Sequence, residues 1–274
     1  EELVWVEIMP ELPEVETVKE TLKHQILNDQ IIGVDVFYSK MMSDDVKDKL
    51  VGQHFKSLSR RGKYIIMHLD DYDLISHLRM EGRYFLKSDE PREKHEHIVF
   101  HLASGRNLRY HDTRKFGTFD LKIKHETYTT KPLIALGEEP FDMDGKVLYR
   151  KLKKTNKPMK SALLDQSIIA GIGNIYADEI LFASHIKPTR KASSITQKQT
   201  ELLLSRAKGI LQSAIEAGGT TIRTYVSSLG VTGRFQLTLM VHQRLNERCY
   251  ICGDEITKTV VGGRSTFYCK NCQS

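Results

Sequence analysis

"KPMKSALLDQSIIAGIGNIYADEILFASHI", residues 157–186, holds two helical patterns joined by a glycine-containing turn. Its first segment opens with two lysines and carries apolar residues at helical spacing, as does the segment beginning at Ile175. Between them Gly171 and Gly173 flank Ile172, and Asn174 follows as a natural N-cap. The free N–H groups of such a turn, with the dipole of the helix behind it, make an anion site. A lone G-x-G-N is weak evidence, since many turns look alike. Next to a basic helix start it describes two helices whose turn grips one phosphate.

Outward from this stretch the charge pattern agrees. Lys146 to Lys160 contains seven bases and no acid, and "RRGK" (60–63) and "RYHDTRK" (109–115) are further basic knots with aromatics interleaved. The 274-residue chain carries 41 Lys and Arg against 35 Asp and Glu, a net charge of +6. That surplus is mild, but its clustering favours a polyanionic partner over a merely solvated face. No apolar run approaches the roughly 20 residues of a bilayer span. "LVWV" (3–6) is too short for a secretory core and is flanked by acids. A cytoplasmic protein is the expectation.

All four cysteines fall in the last 26 residues as C-x2-C, sixteen residues, C-x2-C: Cys249, Cys252, Cys269 and Cys272. Four thiolates complete a tetrahedral zinc shell, and no open position is implied, so one structural Zn2+ is expected. The alternative, two disulfides, is disfavoured without a secretory leader. Between the pairs two β-rich runs flank Gly262-Gly263, the pattern of a hairpin with Arg264 at its tip. An Arg so placed is a phosphate or base probe, or a plain solvated turn residue.

The N-terminal half reads as one helix opened by Pro13, with Val15, Val18 and Leu22 on one face, followed by strands. "IIGVDVFY", "HFKSLSRRGKYIIMHL", "DLISHLRMEGRYFL", "HIVFHLASGRNLRYHD" and "FGTFDLKI" are rich in β-branched and aromatic residues and broken by turns. This half reads as a β-sandwich with a helix attached. Residues 131–145 read as a linker. Beyond it "KVLYRKLKKT", the opening stretch itself and "TQKQTELLLSRAKGILQSAIEA" are helical, the last ended by Gly218-Gly219.

In order along the chain, "MPELPEVET", "RRGKY", "ISHLRMEGR", "HDTRKFG", "AGIGNIYADEILF" and "GGRSTFYC" resemble the formamidopyrimidine-DNA glycosylase family, from Met9 almost to the end. The sister endonuclease VIII family usually opens Pro-Glu-Gly-Pro-Glu, whereas Leu12 stands here. The resemblance implies an α+β protein: an N-terminal β-sandwich with flanking helices (10–138), a helical helix–two-turn–helix domain (139–245) and a C-terminal zinc finger (246–274), with DNA in the cleft between. It implies excision of oxidised purines, 8-oxoguanine and formamidopyrimidines, from double-stranded DNA by a monomer, then lyase cleavage by β,δ-elimination.

The resemblance also implies residue roles. Pro10, freed by loss of the initiator Met, is the nucleophile that forms a Schiff base with C1′ of the damaged nucleotide. A free α-amine has a pKa of about 8, so a useful fraction is neutral at pH 7. Glu11 would protonate the sugar ring oxygen as it opens, and Glu14 lines the site. Lys63 contacts phosphate beside the lesion, and Asn174 and Arg264 clamp the flanking phosphates. Met80, Arg114 and Phe116 fill the void left by the flipped base; position alone favours ordinary core packing for Met80 and Phe116, but Arg79, Arg83 and Lys115 beside them argue for a surface tip. Residues 220–235 match the lesion-recognition loop.

Two departures stand out. His242 and Gln243 replace the usual Tyr-Gly pair before Arg244, which implies an altered phosphate contact. Glu1 to Ile8 precede Met9, and with them attached Pro10 nitrogen is an amide that attacks nothing. The working protein is therefore expected to begin at Pro10, and residues 1–9 not to belong to it. Two other readings stay open: a DNA-binding module blocked by the extension, and a glycosylase for oxidised pyrimidines.

Overall fold

The computed structural model describes residues 9–220 and 235–274. The described residues divide into two compact units, one of residues 9–134 with 218–220, the other of residues 135–217 with 235–274.

The first unit opens with helix α1 (Leu12–Ile26). Pro13 lies in its first turn, where a missing N–H breaks no helical bond. Val15, Val18, Leu22 and Ile26 form its buried stripe. Eight strands follow: β1 (Ile31–Val36), β2 (Ser57–Arg61), β3 (Tyr64–His68), β4 (Tyr72–His77), β5 (Arg83–Lys87), β6 (Glu96–Leu102), β7 (Asn107–His111) and β8 (Thr118–Ile123). They pair antiparallel in two four-stranded sheets, ordered β1-β6-β7-β5 and β2-β3-β4-β8. One apolar cluster takes Val34, Tyr84, Phe100 and Tyr110 from the first sheet, Ile65, Leu74 and Phe119 from the second, and the α1 stripe. Two sheets sharing one core make the expected β-sandwich. A short helix, α2 (Asp44–Leu50), is an element the apolar pattern did not signal, because it buries only Leu50. Its legible mark is the cap, Ser43 Oγ accepting from Val46 N at 3.4 Å.

The second unit is helical: α3 (Gly145–Lys153), α4 (Met159–Leu164), α5 (Asn174–Ala183) and α6 (Gln197–Glu216). Every residue of α5 from Ile175 to Phe182 is buried, Asp178 and Glu179 included, so α5 is the central helix of this unit. The hairpin β9 (Ile256–Val261) and β10 (Arg264–Cys269) completes it. Gly262 and Gly263 both have positive φ, +56° and +74°, as the two-residue turn requires.

Residues 131–145 are not a free linker. Gly137 N donates to Gln166 O (2.8 Å), Ala170 N donates to Glu138 O (2.9 Å), and Met143 is buried. Gly137 marks close packing: a Cβ there would sit 2.6 Å from Ser167 O.

Candidate active site and nucleic-acid contacts

At the start of the first unit Pro10 and Glu11 are both buried. Glu14, one turn into α1, turns its carboxylate back on them. Its Oε2 accepts from Glu11 N at 3.0 Å, while Oε1 accepts from Thr220 N (2.7 Å) and Thr220 Oγ1 (2.9 Å). One carboxylate thus ties the backbone beside Pro10 to a residue 206 positions away. Gly219 makes the approach possible: its φ is +80°, and a Cβ there would lie 2.9 Å from Glu14 Oε1. Residues 221–234, most of the expected recognition loop, lie outside the described residues.

Lys63 follows the β2–β3 turn at Gly62 (φ +58°) and is itself buried. Sequence reading passed over its neighbour His77. Tyr64 and His77 are cross-strand partners whose rings meet edge-on at 4.5 Å. Burial foremost, then the nearby Arg79 and Lys63 cations, depress the His77 pKa to about 3. His77 Nδ1 accepts from Arg79 N at 2.9 Å, so the ring of this neutral imidazole carries its proton on Nε2. β4 is buried at every residue but its first, so nothing in its pattern marks the histidine; the pairing with Tyr64 brings it near Lys63.

Met80 and Phe116 belong to two turns that close on one side chain. A Cβ at Gly82 or at Gly117 would collide with the Tyr110 hydroxyl, and one at Gly82 would also sit 2.6 Å from Leu78 O. Buried Asp112 shapes the second turn, Oδ1 accepting from Arg114 N (3.0 Å) and Oδ2 from Gly117 N (2.8 Å). Phe116 is 51% exposed, with the Arg114 guanidinium 4.9 Å from its ring centroid, and Met80 is half-buried. Phe116 is therefore not core.

In the second unit Gln166 organises the glycine turn: Oε1 accepts from Gly171 N (2.9 Å) and Nε2 donates to Ile172 O (2.9 Å). The N-cap is Gly173, not Asn174 as expected; its extended backbone (φ −127°, ψ −158°) starts α5 one residue earlier. Asn174 is thereby the first helical residue, and its buried Oδ1 has no hydrogen-bond partner among the described residues. Arg264 opens β10 and is exposed. The four cysteines are free thiols whose Sγ atoms all lie within 4.8 Å of one another. Cys249–Cys272 and Cys252–Cys269 are 3.9 and 3.4 Å apart. A tetrahedron of Zn–S bonds of about 2.3 Å needs sulfurs about 3.8 Å apart, so the site fits one structural zinc. His242 is buried, with its ring facing Asp178, and Gln243 takes a positive φ of 61° that glycine would adopt freely.

Family models match most of the chain: the formamidopyrimidine-DNA glycosylase N-terminal domain over residues 9–119, the H2TH domain of the same glycosylase over 136–226, and the zinc finger found in FPG and IleRS over 246–274. The chain belongs to the formamidopyrimidine-DNA glycosylase family. It is an enzyme of DNA repair, an α+β glycosylase and lyase of oxidised purines with a four-cysteine zinc finger. The formamidopyrimidine-DNA glycosylases of Bacillus licheniformis and Halalkalibacterium halodurans are each 47% identical over 273 residues, covering 97% of this chain and 99% and 100% of theirs. Among solved structures, a complex of Lactococcus lactis Fpg with DNA containing an abasic site is 40% identical with a TM-score of 0.91. A second Lactococcus lactis complex, with DNA containing N7-benzyl-Fapy-dG, is 42% identical with a TM-score of 0.92. Each covers 97% of this chain and 100% of that one. No described helix of this family member is long and apolar enough to cross a membrane.

Proposed function

We propose that Pro10 is the nucleophile of this glycosylase and that Glu11, Glu14 and Lys63 serve it at the reacting sugar. The observation that carries the reading is the Glu14 carboxylate, which holds Glu11 N on one oxygen and Thr220 on the other, next to Pro10. With Pro10 as the first residue, its secondary amine attacks C1′ of the damaged nucleotide. The C1′–base bond breaks and the base leaves with its bonding pair. The Pro10 nitrogen passes its proton to the departing base, Glu11 gives a proton to the ring oxygen as the C1′–O bond opens, and an iminium links Pro10 to C1′. That iminium is an electron sink. Loss of a C2′ proton expels the 3′-phosphate, and a second elimination expels the 5′-phosphate.

Lys63 supplies the cation for a phosphate beside the lesion, and the neutral His77 offers it an Nε2–H donor. Asn174 and Arg264 take the flanking phosphates: a helix N-terminus and a guanidinium each suit a phosphate oxygen. Met80, Arg114 and Phe116 fill the emptied stack, the exposure of Phe116 and its Arg114 contact supporting a probing role. The proposed partner is double-stranded DNA containing oxidised bases, bound by a monomer in the bacterial cytoplasm through domains at 10–138, 139–245 and 246–274.

The test is borohydride trapping on an 8-oxoguanine duplex. Protein beginning at Pro10 should become covalently attached to DNA through Pro10. Protein retaining residues 1–9 in a form that resists processing should not. Equal trapping of both would move the chemistry to another amine. Trapping on an oxidised-pyrimidine duplex in preference would move the substrate class instead.

A further inference from the structure

The described residues of the second unit bury a chain of polar side chains that the reaction above does not use. Lys160 and Asp178 are fully buried and His242 is 3% exposed. The Lys160 ammonium donates to Asp178 Oδ1 (2.5 Å), Asn174 O (3.3 Å) and Ser265 O (3.4 Å). Asp178 Oδ2 accepts from His242 Nδ1 (2.7 Å) and Phe267 N (3.3 Å). Ser265 and Phe267 lie on β10 one and three residues after Arg264, so the edge of β10 not paired with β9 is anchored on this side-chain chain. The His242 ring also packs edge-on against Phe267, centroids 5.2 Å apart. Its backbone is fixed independently: Glu179, in α5, accepts from the N–H groups of Met240, Val241 and His242 at 2.8–3.0 Å.

We propose that Lys160, Asp178 and His242 form a buried brace that sets the position of Arg264, which makes His242 a positioning residue for DNA binding and not a phosphate contact. The proposal rests on the reading of Arg264 as a phosphate clamp. Replacing a buried ion pair by apolar groups of similar volume is often neutral for stability. Geometry is what such a brace supplies: it fixes the backbone of Ser265, one residue from Arg264, to that of Asn174 through a single ammonium. His242 closes the chain. Without its Nδ1–H, Asp178 loses its second side-chain partner and the anchor of β10 loosens.

The test measures equilibrium affinity for a duplex containing a tetrahydrofuran abasic analogue across a salt series, with zinc content and thermal midpoint recorded. His242→Leu should bind about tenfold more weakly, with the slope of log affinity against log salt shallower by about one, as for a lost phosphate contact. His242→Asn, which keeps an N–H near the Nδ1 position, should recover most of both. In an Arg264→Ala background His242→Leu should add less than twofold, because the contact it positions is gone. Full additivity in that cycle, or an Asn variant no better than Leu, overturns the brace. An unchanged slope in Arg264→Ala alone refutes the clamp, and the brace falls with it. If His242→Leu loses its zinc or fails to fold, the double replacement Lys160→Met with Asp178→Leu takes its place. It should hold zinc and show the same coupled loss, and wild-type affinity in it overturns the proposal.

Discussion

His77 shows how one residue's environment becomes a property of the whole fold. Its ordinary pKa is about 6.5, and burial with two nearby cations lowers it to about 3. Between those values the unfolded chain holds a proton that the folded chain refuses. The stabilisation is complete above about pH 6.5 and is lost as pH falls toward 3, at about 1.4 kcal/mol per pH unit. His77→Gln should therefore lose stability less steeply on acidification than the wild type. Chemical unfolding at pH 7, 6, 5 and 4 checks it, and parallel curves for the two proteins would refute it. Only one of its causes, Arg79, is close along the chain. The burial that comes first and the Lys63 cation of the β2–β3 turn are set by the strand pairing.

Among the elements, the two turns carrying Met80 and Phe116 depend on a hydroxyl from β7. Gly82 and Gly117 each lack room for a methyl group because of Tyr110. Gly117→Ala should cost about 1–3 kcal/mol, as overpacking does, and displace the turn that presents Phe116. Tyr110→Phe in the same protein should restore part of that loss. Thermal unfolding of the three proteins measures it; a neutral Gly117→Ala would show that the turns do not close on Tyr110. Both glycines are visible in "MEGR" and "KFGT", and each reads as an ordinary turn breaker. That one tyrosine limits both is a fact of the sheet order, in which β7 lies beside β5 and Tyr84 stands opposite Tyr110. The N-cap of α5 was legible only to within one residue, since Gly173 and Asn174 are both acceptable caps.

For the molecule as a whole the separate cores matter. The sandwich has a large apolar cluster of its own. The zinc module has a small one, in which Cys249 and Cys269 sit with Ile256, Phe267, Val241 and Phe182. So small a core does not hold a hairpin without its metal, and binding energy there is folding energy. Chelation, or Cys269→Ser, should strip hydrogen-exchange protection from β9 and β10 and abolish tight binding to lesion DNA. The strands of the sandwich should keep their protection. Protected β9 and β10 amides in metal-free protein would show that zinc is not what folds the hairpin.

The sequence by itself determined the features set by neighbours along the chain. The paired C-x2-C turns, the two-glycine hairpin, Pro13 in a first helical turn and the strands rich in β-branched and aromatic residues are of this kind, because spacing and backbone preference act over a few residues. The tertiary structure decided what depends on distant groups meeting: Glu14 on Thr220, Tyr110 on Gly82 and Gly117, and Lys160 and His242 on Asp178. A carboxylate or ammonium is stable in the interior only where partners from other elements reach it. Those partners are assigned by packing, and no local pattern names them.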